Sequence, residues 1–418
     1  MEFPDSEAEL TDRDRNSDPE RPEPHVYDAE VQREDVDDDA LKVIRRLRRH
    51  GYRAYLVGGG VRDLLLGVRP KDFDIATDAR PNEVKSLFRN CRVIGRRFRL
   101  AHVLFGGGKI IEVATFRRDP FEEDERGSRD DEDADILIRR DNVFGEPHED
   151  ARRRDFTING LFYDSEDHSV LDYVGGMPDI EGRLVRTIGA PDVRFREDPV
   201  RILRAIKFSA RLDLGIDPEV YDAMVAQRED LSRAARPRLL EEVLRLVRGG
   251  AAHRSFWLMW ETGVLGVLIP HLAVHLDDDS ALARRLWGRL DAIDALAKSG
   301  SLPTDAALFA ALMLGPIQDA TAGARDATAA YEALMGEAVE TLAVPRRMKE
   351  RIRTLVQALR RLETGKLGAL ARREYFEEAA TLFSLECHAR GERPPDWLAD
   401  RPAVEDVARP RRRRRRRR

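Results

Sequence analysis

The stretch Tyr55–Thr77, YLVGGGVRDLLLGVRPKDFDIAT, decides how the rest of the chain reads. It passes from an apolar segment through Gly58, Gly59 and Gly60 into the short helical pattern VRDLLLG. It then reaches KDFDIAT, where Asp72 and Asp74 are separated by one phenylalanine. Side chains on a strand alternate faces, so this spacing predicts both carboxylates on one side and Phe73 and Ile75 on the other, facing a core. Two like charges about 4 Å apart repel by roughly 4 kcal/mol at an effective dielectric near 20. A divalent cation removes that cost, and Mg²⁺ takes oxygen ligands from one or two carboxylates together with substrate phosphates. Taken alone, Asp-x-Asp also fits a solvated strand face.

The glycines shift the balance. Between a strand and a helix, a bare backbone lets amide N–H groups approach a phosphate, and the helix start adds positive potential. Arg62, in the first turn, is placed to make a charge-assisted hydrogen bond to the same anion. An ordinary tight turn followed by a surface arginine has the same local pattern. A phosphate cradle a dozen residues before a metal-binding pair makes nucleoside triphosphate chemistry the better explanation of the two together.

Outward from this stretch, the 418 residues are too many for one ordinary core and suggest two or three units. No run of eighteen apolar residues occurs and the start MEFPDSEAEL is acidic, so a soluble, cytoplasmic protein with no membrane partner is expected. Cys91 and Cys387 are the only cysteines and lack metal-ligand spacing, which makes them core thiols. The formal net charge of −5 is segregated: residues 1–40 carry −12, residues 117–135 carry −6 and Arg411–Arg418 carry +8, leaving +5 on the remainder. A basic body suits a polyanionic partner.

Residues 1–38 hold too few apolar side chains to offset their ordering entropy and read as a disordered acidic extension. Leu41, Ile44 and Leu47 then recur at helical spacing, YRAYLV and KDFDIAT read as strands, and a helix is expected from Pro81. CRVIGRRFRLAHVLFGGGKIIEVATF reads as a strand pair turned at Gly106–Gly108, and 117–135 as a mobile acidic loop. FTINGLFYD and SVLDYVGG continue the sheet. After Pro199 the apolar spacing is helical to about Leu398, and the arginine tail has nothing to pack. The fold class is therefore an α/β head with a mixed sheet and helices, followed by an all-α body.

LVGGGVRD followed by KDFDIAT resembles the nucleotidyltransferase head of the class II tRNA nucleotidyltransferase/poly(A) polymerase family, which includes bacterial poly(A) polymerases and CCA-adding enzymes. RRDFTING (Arg153–Gly160), REDPVRILRAIKFSARL (Arg196–Leu212) and RPRLLEEVLRLV, from Arg236, resemble further motifs of that family, and the likeness covers about residues 40–270. It implies a head over 39–195, nucleotide-selecting neck helices over 196–275, a helical RNA-binding body over 276–400 and a disordered Arg-rich tail over 401–418. It also implies that Arg154 contacts nucleotide and that Asp155 joins the catalytic set. On the residues alone, these two also fit a surface ion pair.

Asp198, Arg201 and Arg204 are spaced by three, which puts them along one face of a helix starting at Pro199. A salt-bridged helix surface has the same spacing, whereas the family uses this motif to select the incoming base. Glu112, an acid within the apolar strand IIEVATF, either supports the metal site or is paired by a local arginine.

The implied mechanism is two-metal phosphoryl transfer from ATP. Asp72 and Asp74 hold two Mg²⁺ ions that activate an RNA 3′-hydroxyl and stabilise departing pyrophosphate, and Asp155 completes or orients the set. Gly59, Arg62, Arg154, Arg201 and Arg204 bind the nucleotide, with Asp198 contributing base selection. Arg89–Arg117 is similar to the stretch that distinguishes bacterial poly(A) polymerases from CCA-adding relatives, which favours adenylate addition to RNA 3′ ends. Addition of CCA, or of its terminal A, to tRNA is the alternative, and a noncatalytic RNA-binding protein is the alternative of another class. The tail Arg411–Arg418 is expected to touch RNA nonspecifically by counterion release.

Overall fold

The computed structural model describes residues 22–29, 31–95, 99–118, 143–277, 280–365 and 367–399. The chain divides into two compact units, Met1–Asp230 and Leu231–Arg418.

The first unit is built on an eight-stranded mixed sheet. Its strands are β1 (His25–Asp28), β2 (Ala54–Val57), β3 (Asp74–Thr77), β4 (Cys91–Ile94), β5 (Leu100–Leu104), β6 (Ile110–Thr115), β9 (Leu161–Asp164) and β10 (Ser169–Asp172), while β7 (Arg117–Arg118) and β8 (Val143–Phe144) pair as a separate ribbon. The order across the sheet is β1-β10-β9-β2-β3-β6-β5-β4. Strands β3 and β6 are parallel, and β2 runs antiparallel to both β3 and β9. Helices α1 (Asp38–Arg49), α2 (Gly59–Leu65), α3 (Pro81–Leu87), α4 (Pro147–Arg152), α5 (Gly176–Glu181), α6 (Pro191–Glu197), α7 (Val200–Leu212) and α8 (Pro218–Ala226) complete the unit. Leu41, Ile44 and Leu47 of α1 are buried as their spacing predicts, and Ile75, Val113 and Phe162 fill the core at the central strands.

The second unit is helical throughout its described residues: α9 (Arg236–Arg248), α10 (Ala252–Glu261), α11 (Val264–Leu268), α12 (Pro270–Asp277), α13 (Ala281–Ser299), α14 (Asp305–Thr321), α15 (Ala327–Leu342), α16 (Arg346–Glu363), α17 (Phe376–Ala389) and α18 (Asp396–Ala399). SFWLMWETGVLGVLI forms two helices, because Gly263 takes φ 75° and starts a new one. At the centre of this unit Arg289 and Glu386 form a fully buried ion pair at 2.7 Å. Both cysteines are free and buried, as expected. Among the described residues, no helix is long and apolar enough to cross a membrane.

Four local expectations change. Residues 25–28, within the stretch expected to be disordered, form edge strand β1 by pairing antiparallel with β10. Backbone hydrogen bonds to an existing edge supply what apolar burial does not: Val26 remains 62% exposed. Asp37 caps α1, accepting from the Asp39 and Ala40 amides, so the acids here are structural in part. The triple-glycine turn joins β5 to β6 as predicted, and Cys91–Ile94 adds a third strand, paired with β5. Arg117 and Arg118, placed at the start of the acidic loop, lie in β7. The rest of that loop, residues 1–21, Arg96–Phe98 of the GRRFRLAHV stretch and the arginine tail lie outside the described residues.

Candidate active site

The site is laid out by where β2 stops. Val57 pairs with Asp74 across the β2–β3 ladder, and the next residue, Gly58, leaves the strand with φ 70° and ψ −137° to enter α2. β2 therefore offers no residue for Asp72 to pair with, and β3 begins at Asp74 rather than at Lys71 as the alternation suggested. Asp72 is exposed just ahead of the strand, whereas Asp74 is half-buried. The two remain electrostatic neighbours. Asp74 is pushed up to about 6 by burial first and then by Glu112, with Arg154 opposing and Asp72 adding to the rise.

Glu112 stands directly opposite Asp74 in the parallel β3–β6 register. Its Oε1 lies 3.1 Å from His102 Nε2, and among the described residues no arginine pairs with it.

The glycines face the site's working groups. A Cβ on Gly58 would stand 3.0 Å from an Arg154 terminal nitrogen, one on Gly59 3.4 Å from Arg62, and one on Gly60 3.2 Å from the Asp72 carbonyl. At Gly58 the positive φ itself favours glycine, and at Gly60 a side chain would press on the backbone of the loop carrying Asp72.

The arginines are more committed than the sequence suggested. Arg62 is buried; its guanidinium donates to Asp63 Oδ1 and, at 2.6 Å, to Asn159 Oδ1, and it lies 4.7 Å over the Phe208 ring. Burial lowers its pKa against the pull of Asp63. Arg154 is held by Asp150, at 2.9 Å, and by the Asn159 carbonyl at 3.3 Å, and its positive field reaches Asp74. Arg201 is buried on Glu197 at 2.7 Å and on the Arg194 carbonyl at 2.9 Å. Asp198 does not lie on the α7 face with Arg201 and Arg204: at φ −147° it ends α6, and Pro199 caps α7.

Asp155 is buried and fully engaged. Its Oδ1 accepts from the Phe156 amide and from Asn159 Nδ2, both at 2.9 Å, and its Oδ2 lies 2.6 Å from Arg204 in an ion pair with no hydrogen-bond alignment. Burial would raise this carboxyl, but Arg204, Asn159, the Phe156 amide and Arg201 together hold it below the usual carboxylate range. The structure thus sets Asp155 against Arg204, and its contacts do not include the Asp72–Asp74 pair.

Two residues that sequence reasoning passed over organise this region. Asp150, on α4, is buried, binds Arg153 at 2.7 Å and Arg154 at 2.9 Å, and accepts from the Arg117 amide. Its signal was an acid three and four residues before two arginines on a helix. Asn159 joins Arg62, Asp155 and Arg154 through its side chain and carbonyl. Its signal was a lone amide in the apolar run FTING, a buried polar group that has to be satisfied.

An Mg²⁺ ion is tested by donor chemistry. Asp72, Asp74 and Glu112 offer only oxygen, and a dication would offset the negative charge of Glu112 and Asp72 that adds to the effect of burial at Asp74. Among the described residues no three acidic, histidine or cysteine side chains form a ready metal cage. The fit is therefore to an open carboxylate pair completed by substrate oxygens, the arrangement Mg²⁺ commonly takes.

Comparison with known proteins identifies the family. The family profile described as "Poly A polymerase head domain" matches residues 54–186, and "Probable RNA and SrmB-binding site of polymerase A" matches 213–276. Poly(A) polymerase I of Salmonella typhimurium is 42% identical over 340 residues, covering 78% of this chain and 72% of that one. The CCA-adding enzyme of Geobacillus thermodenitrificans is 39% identical over 234 residues, covering 56% and 55%. Among solved structures, the Bacillus stearothermophilus CCA-adding enzyme in complex with CTP superposes with a TM-score of 0.65 at 26% identity, covering 86% of this chain and 80% of that one. Since a polymerase relative 42% identical to this chain is matched over 72% of its own length, the chain belongs to the bacterial poly(A) polymerase family.

Proposed function

We infer that this chain is a polynucleotide adenylyltransferase, adding AMP from ATP to RNA 3′ ends without a template. The observation that carries this reading is the extent of the likeness. Identity to the polymerase I relative continues over 78% of the chain, against 56% for the CCA-adding relative named above.

The chemistry asks the protein mainly for position and charge. Asp72 and Asp74 are the proposed ligands of two Mg²⁺ ions, with Glu112 beside them. When bound, the ions supply neutralisation of the triphosphate and a lowered pKa for the attacking 3′-hydroxyl. The Gly59 backbone and Arg154 face the triphosphate, and Arg154 is kept extended for that role by Asp150. Arg62 acts through the glycine turn it packs beneath, holding Gly59 and Asn159 in place. Asp155 orients Arg204, and Arg201 braces the start of α7, so that Asp198 and Arg204 present the polar groups that recognise the adenine edge.

Arg411–Arg418 adds a nonspecific RNA contact whose removal should flatten the salt dependence of binding. The tRNA-directed reading is separated by incubating the protein with labelled ATP or CTP and either generic RNA or tRNA lacking its CCA end. A long adenylate ladder on generic RNA is expected; C-C-A addition confined to tRNA would replace this reading with the other.

A further inference from the structure

The outward stripe of α1 carries Lys42, Arg45, Arg46 and Arg49, all exposed, at the i, i+3, i+4, i+7 spacing that aligns side chains on one helix face. They wall a groove of about 470 Å³ whose remaining lining is Phe88, Asn90 and Phe105. Among the described residues no acidic side chain lines it. Arg46 lies 5.4 Å over the Phe88 ring, Arg45 donates its Nε to the Leu41 carbonyl, and Lys42 pairs with Asp39 at 2.8 Å on the groove's edge. Arg45 and Arg49 make no ion pair among the described residues.

The groove is not isolated. Lys42 also lines the larger cleft of about 1210 Å³ that contains Asp72 and Phe73. Of the acids on that cleft's α1 side, Lys109 bridges Asp37 and Asp39 and Arg33 pairs with Asp38, while Glu34 and Asp35 also line it together with Arg69 and Lys71. A polyanion leaving Asp72 along α1 thus passes from a cleft of mixed charge to a wall of four cations.

We propose that this α1 groove holds the phosphodiester backbone of the RNA strand a few nucleotides upstream of the 3′ end being extended, an inference that rests on the adenylyl-transfer reading above. Cations that track phosphates beside a half-exposed aromatic ring are the combination that binds single strands without sequence preference. The groove has little means of reading bases. Asn90, its one amide, donates its Nδ2 to the Leu104 carbonyl, and among the described residues no carboxylate is present to accept from a base. An enzyme that must grip first an arbitrary RNA and then its own adenylate product needs that indifference.

The test uses the full chain with Arg45→Gln and Arg49→Gln combined, two exposed positions outside the proposed catalytic and nucleotide-binding set, checked for an unchanged melting curve. Extension is compared on a trinucleotide, too short to reach the groove, and on a 20-nucleotide oligoadenylate. The KM for the long primer should rise on the order of tenfold, with kcat and the trinucleotide KM unchanged. Equilibrium binding of the 20-mer should lose about 1.4 from its log–log salt slope, roughly 0.7 per phosphate contact removed. An unchanged slope with unchanged KM would overturn the inference, as would an equal KM rise for both primers. Failure of the unmodified protein to incorporate AMP would refute the adenylyl-transfer reading instead, while the salt slope would still decide the groove.

Discussion

Asp74 and Glu112 face each other across the parallel β3–β6 pairing, and after burial Glu112 is the largest influence raising the Asp74 carboxyl to about 6. The Asp-x-Asp pair thus has a third acid, Glu112, in register with Asp74 on the neighbouring strand.

Asp74→Asn should abolish incorporation and stabilise the metal-free protein. The folded carboxyl binds its proton more tightly than the unfolded one, at 3.8, so stability is highest below about pH 4 and falls as pH rises through about 6. The gap corresponds to at most roughly 3 kcal/mol above that range. Thermal melts of both proteins from pH 4 to 8 without Mg²⁺ should diverge with rising pH; parallel curves would show that Asp74 is not strained.

Glu112→Gln removes that neighbouring charge while keeping shape. If Glu112 contributes to holding Mg²⁺, half-saturation by the ion should move up by about 10- to 100-fold, the usual effect of losing a close support of a metal site. Titrating activity against Mg²⁺ measures it, and an unshifted midpoint would leave Glu112 to His102 alone.

Gly58→Ala puts a Cβ 3.0 Å from the Arg154 guanidinium at a backbone φ of 70°. The strained φ should cost about 1–2 kcal/mol of stability. Displacement of Arg154 should raise the KM for ATP more than that for RNA. Equal effects on both substrates would argue that the turn does not face the triphosphate.

Asp155→Ala removes the partner of Arg204, whose side chain is 36% exposed to water, so the stability loss should stay below the roughly 3–5 kcal/mol of breaking a fully buried pair. If Asp155 works through Arg204, then Arg204→Gln should reproduce its loss of kcat and the double variant should add little. The Mg²⁺ midpoint should stay where it is in both. A shifted midpoint in Asp155→Ala alone would make it a metal ligand.

The α/β head and the helical body were legible from one chain because each is written in short-range pattern, whereas the alternation that put Asp72 and Asp74 on one strand did not foresee that β3 begins at Asp74. Alternation specifies strand faces, three-to-four spacing specifies helices such as α7, and GGG before DFD pairs a turn with a charge doublet. The edge strand His25–Asp28 was not legible, since its stability comes from backbone pairing with β10, nearly 150 residues away in sequence, and leaves almost no side-chain signature.

What tertiary structure alone decided is which charges are buried and which of them meet a partner far away in the chain. From sequence, Arg62, Arg154, Arg201 and Arg204 are equivalent cations near a nucleotide. Folding buries Arg62 and Arg201 on Asp63 and Glu197, ties Arg154 to Asp150, and sets Arg204 on Asp155. Arg62, Arg154 and Arg201 find those acids within four residues in sequence, but the Arg204–Asp155 and Arg62–Asn159 contacts depend on where strands end and helices cross, and a buried charge must be paired wherever the fold brings it. Residue identity supplied the chemistry of this protein; long-range packing determined which of those groups remain turned toward the site.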